Sequence, residues 1–226
     1  MTGRAVTSRT RALVIFLDKL IYKIAVHWLL LANLAVGLYV GLPILAPVLM
    51  YLGLEGAGRA IYTLYYPACH QLPWRSFFLF GPKMTYSLEE LIRAVGAEPF
   101  ASLVSAKRFL GTPELGYKMA MCQRDIAIYG AILVTGVLYG LARRRWLLRP
   151  LPWRYFLILV LPLAVDASSQ LLGLRESTWL LRTVTGALFG SASVLLAYPY
   201  VEEGFRDIRL QVEAKLGPNP QEQVHV

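Results

Sequence analysis

Four stretches of the chain run without charge, or nearly so. Residues 24–54, 126–142 and 183–201 contain no Asp, Glu, Lys or Arg, and residues 155–174 contain a single one, Asp166. A helix needs roughly 20 apolar residues to cross the hydrocarbon core of a bilayer. The runs are continuous rather than alternating in polarity, which favours helices over barrel strands. The pattern predicts an all-α integral membrane protein of four transmembrane helices with a small helical extracytoplasmic cap. The chain then divides into an amphipathic cytoplasmic N-terminal segment (1–23), a first span (24–54), the cap (55–125), a three-helix remainder of the bundle (126–201) and a cytoplasmic tail (202–226). Pro43 and Pro47 lie in the outer half of the first span and predict a kink or an early helix end.

The cap is too long for a structureless loop and should carry elements of its own. Arg59–Tyr66 reads as a short helix stopped by Pro67. Ser87-Leu-Glu-Glu90 has the spacing of a capping box and predicts a helix through Val95, ended by Gly96. Phe100–Leu110 follows Pro99 and stops at Gly111. Thr112-Pro113-Glu114 reads as another helix start, with Pro at the first helical position, running on into the second span. The final stretch, Gly217–Val226, is polar and predicts no fixed structure.

Composition agrees with a membrane setting. The chain is 56% hydrophobic and 16% charged, where a soluble domain carries about a quarter charged residues. Its net charge of +9 is explained by topology rather than by nucleic acid. Arg4, Arg9, Arg11, Lys19 and Lys23 precede the first span, and Arg143, Arg144, Arg145, Arg149 and Arg154 crowd the link between the second and third. The positive-inside rule then makes both termini and the Arg143–Arg154 loop cytoplasmic, in a multi-pass protein of the cell membrane. Ala12–Leu17 is too short, and lacks the small-residue pattern, for a cleavable signal. The lipid bilayer is the expected surrounding. Any macromolecular partner is expected to be a membrane protein or a second copy of the chain, not a nucleic acid.

Candidate chemistry gathers on one side of the membrane. Cys69, His70, Cys122 and Asp125 all lie between the first two spans. Two thiols, an imidazole and a carboxylate are the ligand types that zinc accepts, usually four and tetrahedral. A Cys69–Cys122 disulfide is the competing reading, because two lone cysteines in an oxidising compartment commonly pair. Asp166 is an intramembrane carboxylate, costly unless partnered, and Gln170 lies one turn further on the same face. Arg182 is placed to reach down toward Asp166, and the pair reads either as a clamp between helices or as part of a site. Arg75 and Arg124 sit beside the two cysteine motifs, as interfacial anchors or as ligands for an anionic group. His27 lies near the opposite membrane face and His225 in the tail, so no haem is expected, and no nucleotide. No Ser-His-Asp constellation is assembled either.

Three segments, "CHQLPWRSFFLFG", "CQRDIAIYGA" and "DASSQLLGLRESTWLLRTVTGALFG", carry a resemblance. They resemble a prokaryotic family of predicted membrane proteins of unknown function, marked by C-H-Q-x-P-x-R-S, C-x-R-D-x-x-I-Y-G and a D-x-x-x-Q block ending R-x-x-T-G. The resemblance spans about Tyr62 to Tyr200 and implies a multi-pass membrane protein with no nameable activity. It shifts the balance from a disulfide toward a site. The expectation is a zinc site formed by Cys69, His70, Cys122 and Asp125. Arg75, Arg124 and Arg182 would hold an anionic or lipid-linked substrate, with Asp166 and Gln170 lining the cavity beneath. Two alternatives stay open: an accessory or scaffold subunit with a Cys69–Cys122 disulfide, and a thiol–disulfide exchanger. No catalytic residue is assigned.

Overall fold

The computed structural model describes residues 8–216; the expectations for Arg4, His225 and the tail from Gly217 to Val226 lie outside the described residues. In chain order the elements are α1 (Ser8–Tyr51), α2 (Glu55–Leu64), β1 (Ser76–Leu79), α3 (Leu88–Val95) and α4 (Leu103–Arg108). They continue with β2 (Gly111–Thr112), β3 (Gly116–Cys122), α5 (Gln123–Ala142), α6 (Trp153–Leu171) and α7 (Trp179–Leu216). Four of these helices, α1, α5, α6 and α7, are long and apolar enough to cross a membrane. The protein is a mostly helical membrane protein, as its uncharged runs predict.

The buried residues of α1 form two groups on one helical face, Ala25, Trp28 and Leu29, then Val40, Pro43, Ala46, Pro47 and Met50. That face is one stripe of a helix turned to its neighbours. Leu30, Leu34 and Leu38, off the stripe, are exposed, which in a bilayer means facing lipid. Neither Pro43 nor Pro47 ends the helix, which runs on to Tyr51. Neighbouring structure in a membrane bundle can absorb the backbone groups that a proline frees. With 44 residues, α1 is about 66 Å long and overshoots a hydrocarbon core of about 30 Å. Residues 8–23 continue it without a break and run beside the end of α7. There Tyr22 donates to Glu213 (2.9 Å) and Lys215 pairs with Asp18 (3.8 Å).

Helices α5 and α7 make the closest contact in the bundle. Gly186 and Gly190 of α7 lie against the backbone of α5 at Arg124 and Ile128, the small-residue packing on which membrane helices rely. Thr135 and Ser191 add a hydroxyl pair at 3.0 Å. At the end of the bundle away from the cap, Glu202 of α7 ties three neighbours together. It accepts from Trp28 Nε1 (3.0 Å) and pairs with Arg143 and with Arg209 (3.5 Å).

The cap departs locally from the helical expectation. Its capping box forms as read, with Ser87 Oγ accepting from Glu90 N (3.1 Å) and the Glu90 carboxylate from Ser87 N (2.8 Å). Residues 112–122, however, are not a helix leading into the second span. They are a turn and a strand of a three-stranded antiparallel sheet ordered β1-β3-β2. Thr112-Pro113-Glu114 opens the turn, where Thr112 Oγ1 accepts from Leu115 N (3.3 Å). Gly116 closes it at φ +78°, a conformation that favours glycine. Phe78, Tyr86, Leu91 and Leu115 form the apolar cluster under this sheet.

The tight α5–α7 contact makes a contrast between two glycines. At Gly190 an added Cβ would run into the carbonyl of Ile128, whereas at Gly130 nothing lies within 4 Å. Gly190→Ala is expected to destabilise the detergent-solubilised protein by about 1–3 kcal/mol. Gly130→Ala should be neutral or slightly stabilising. Thermal unfolding of the two variants checks this, and equal effects would contradict the packing.

Candidate functional site

The site begins with a strand pairing. Antiparallel β1 and β3 set Ser76 opposite Cys122, which draws the segment before β1 alongside the start of α5. The segment turns at Gln71, a fully buried non-glycine residue at φ +49°. Such a conformation costs about 1 kcal/mol or more and persists because three hydrogen bonds hold it. Gln71 N donates to Cys69 Sγ (3.5 Å), its side chain donates to Tyr62 O (2.9 Å), and its carbonyl accepts from Lys118 Nζ (2.5 Å). The Cys69 sulfur thereby faces Cys122, whose backbone N–H also donates to it (3.3 Å).

Cys122 is the residue just before α5, and Asp125 lies in that helix's first turn. Ligand atoms of Cys69, Cys122 and Asp125 all fall within 4.8 Å of one another. His70 is not in this group; it is exposed and shares only the cavity wall. While the Cys69 sulfur is held inward by two backbone N–H groups, the next side chain projects outward. The expected four-ligand set is therefore three ligands together and one apart. Both cysteines are free.

The two thiols are electrostatically unequal. A hydrogen bond from the Cys122 thiol lowers the Cys69 pKa, with help from Gln71 N, against burial and the Asp125 charge. That same bond, with burial and the charges of Cys69 and Asp125, pushes Cys122 well above the usual thiol range. The first proton to leave the pair comes from Cys69. The positive end of the α5 dipole lies beside both.

Arginines surround the pair. A cavity of about 510 Å³ is lined by Cys69, His70, Cys122 and Asp125, and also by Arg75, Arg124, Gln170 and Arg182. Asp166 lies behind this wall, 1% exposed. It pairs with Arg124 (2.5 Å) and Arg175 (2.9 Å) and accepts from Ser177 Oγ (2.9 Å). Gln170 accepts from Arg124 (3.3 Å) and donates to Glu176 (3.1 Å). Arg182 does not reach Asp166, as its position along α7 suggested. It donates to Gln123 Oε1 (3.2 Å) and pairs with Glu176 (3.3 Å), which also pairs with Arg75 (3.1 Å). The reason is the end of α6. The helix stops at Leu171, Gly173 reverses the chain at φ +70°, and Arg175 folds back onto Asp166.

Three donors in this network have no acceptor among the described residues: Nε of Arg75, of Arg124 and of Arg182. Buried unsatisfied donors are rare and costly. The three side chains that carry them all line the cavity.

Several contributors escape a reading of the sequence. Lys118 is fully buried in β3, its Nζ donating to the carbonyls of Gln71 and Lys107 (2.9 Å for the latter). Burial drives its pKa down to about 7, with Cys69 acting upward and Lys107 downward. Gln123 bridges Ser76 O (3.1 Å) and Arg182. Glu176 joins Arg75, Gln170 and Arg182. In the sequence these are a lysine among apolar residues, a glutamine after a cysteine and an acid after an arginine.

The fold and this junction define a multi-pass helical membrane protein with a Cys/Asp cluster between cap and bundle. A model for the predicted membrane proteins of the DUF2085 family matches residues 114–196. An uncharacterized protein of Methanocaldococcus jannaschii is 31% identical over 161 residues, covering 69% of this chain and 80% of that protein. The chain belongs to this family of predicted membrane proteins. No solved structure matches it.

The thiol asymmetry has a direct readout in the reduced, metal-free protein. Cys69 should alkylate with a midpoint below that of an ordinary cysteine, and Cys122 only at much higher pH. Cys122→Ala removes the thiol donor, so the Cys69 midpoint should rise. Peptide mass spectrometry across a pH series measures both, and an unmoved Cys69 midpoint would contradict the assignment.

Proposed function

We propose that the protein binds a zinc-class metal ion through Cys69, Cys122 and Asp125, next to an arginine-lined cavity that takes the anionic part of a lipid-linked or other anionic substrate. The observation that carries this reading is the approach of three ligand atoms to within 4.8 Å, in the wall of a cavity lined by Arg75, Arg124 and Arg182. Structural zinc sites are closed by four protein ligands, whereas catalytic ones use three and leave a position open. Three ligands facing a cavity fit the second kind. A metal bound there would supply Lewis acidity and an activated water, the basis of hydrolysis or transfer at an anionic centre.

The protein's own parts would do the rest. The N–H groups of Gln71 and Cys122 favour the Cys69 thiolate that metal binding requires. The arginines orient the anion and offset its charge. On this reading the cap is extracytoplasmic and both termini are cytoplasmic. Support comes from the arginine-rich link between α5 and α6, at the opposite end of the bundle from the cap. The close approach of the two sulfurs also suits a thiol–disulfide exchanger, and one experiment separates the two readings.

Protein purified under reducing conditions should carry about one metal ion per chain by elemental analysis. Cys69→Ser, Cys122→Ser and Asp125→Asn should each lower that stoichiometry several-fold, while His70→Ala should retain most of it. No stoichiometric metal, together with a Cys69–Cys122 bond found by mass spectrometry, would overturn the proposal in favour of the dithiol reading.

A further inference from the structure

We infer that the anion taken by this cavity is the terminal phosphate of a membrane lipid, and that it enters sideways from the bilayer between α5 and α6. The inference rests on reading Arg75, Arg124 and Arg182 as anion-binding residues, and it is independent of any metal.

Charge comes first. Four guanidiniums, those of Arg75, Arg124, Arg175 and Arg182, share the carboxylates of Asp166 and Glu176. Asp125 also lines the cavity, so four guanidiniums stand against three carboxylates. The network keeps one surplus positive charge, which favours an anionic group such as a phosphate monoester. Arg182 is 4% exposed, and its Nε, like those of Arg75 and Arg124, has no acceptor among the described residues. Planar guanidiniums from three different elements can surround a tetrahedral oxyanion that a lone arginine could hold only from one side.

Depth comes second. Arg124 lies in the first turn of α5, Arg182 in the first turn of α7, and Gln170 in the last turn of α6. The cavity floor is therefore made by the ends of three membrane helices, at the level where lipid headgroups lie.

The side wall comes third. Helix α6 packs chiefly against α7, and its tie to α5 is the polar clasp of Arg124 with Asp166 and Gln170. Ala167 and Leu171 supply the apolar part of the cavity wall on α6. One and two turns below them on the same face, Leu163, Ala164 and Val160 are apolar and not fully buried, an apolar strip leading from the cavity into the bilayer. A water-borne anion would gain nothing from that wall. A lipid would lay its phosphate among the arginines and a chain along α6, and each buried methylene would add to its affinity.

Native mass spectrometry of the full-length protein in detergent, with metal chelated, tests this. The probes are phosphatidic acid, phosphatidylcholine and inorganic phosphate. Phosphatidic acid should bind at least about tenfold more tightly than phosphatidylcholine, and inorganic phosphate should fail to displace it at matched concentration. Arg75→Gln, on a partly exposed side chain that does not hold the bundle together, should weaken phosphatidic acid about tenfold. Ala167→Trp should block the lipid while leaving the fold intact by circular dichroism. Equal retention of the two lipids, or of neither, overturns the inference. So does inorganic phosphate that competes on equal terms, which would mark a soluble ligand. Phosphatidic acid binding to a protein that never takes up metal would sink only the metal reading.

Discussion

The buried carboxylate of Asp166 is the constraint around which the upper half of the molecule is arranged. A charge 1% exposed at the edge of a bilayer is untenable without partners, because the desolvation cost is several kcal/mol. Its three partners come from two segments. Arg124 reaches over from α5, while Arg175 and Ser177 fold back from the link after α6. Satisfying one carboxylate thereby fixes how α6 sits against α5 and where the chain turns before α7. Arg124 is adjacent in sequence to Asp125 and two residues from Cys122, so the same pair also sets the start of α5 that presents those two side chains.

The cap completes the arrangement through backbone rather than charge. Pairing of β1 with β3 places Ser76 opposite Cys122, and the strained turn at Gln71 aims two N–H groups at the Cys69 sulfur. Lys118 supports that turn from inside the sheet by donating to the Gln71 carbonyl. Two motifs 53 residues apart thus converge because one short sheet and one buried lysine hold them. Gly186 and Gly190 let α7 close on α5 from the other side, which brings Arg182 to Gln123 and the arginines around a common cavity.

Much of this is visible in the residues and some is not. The spans are legible because a run of some 20 uncharged residues has few other uses in a folded chain. The capping box at Ser87 and Glu90 is legible because its two bonds are local. Residues 112–122 mislead, since Thr-Pro-Glu opens a helix or a turn equally well and only the strand partner β1 decides. Lys118 is hidden for a similar reason. Its acceptors are backbone carbonyls on other segments, which leave no mark in sequence. The grouping of cysteines, Asp125 and arginines follows from topology, which confines them to one side. Which arginine meets Asp166 does not, because an ideal helix extended past Leu171 carries Arg175 away, whereas the reversal at Gly173 returns it. His70 shows the limit of adjacency: neighbouring residues share a position in the chain without sharing a direction.

The claim that one buried ion pair organises this junction is tested most directly by a double-mutant cycle on Asp166→Asn and Arg124→Gln, read by equilibrium unfolding in detergent. Each single change leaves a buried charge or polar group without its partner, and the double change removes both. A coupling of about 1.5 kcal/mol or more is expected, so that the double variant is clearly more stable than the two losses added together. Losses that add to within about 0.5 kcal/mol would show that Asp166 and Arg124 act independently and would contradict it.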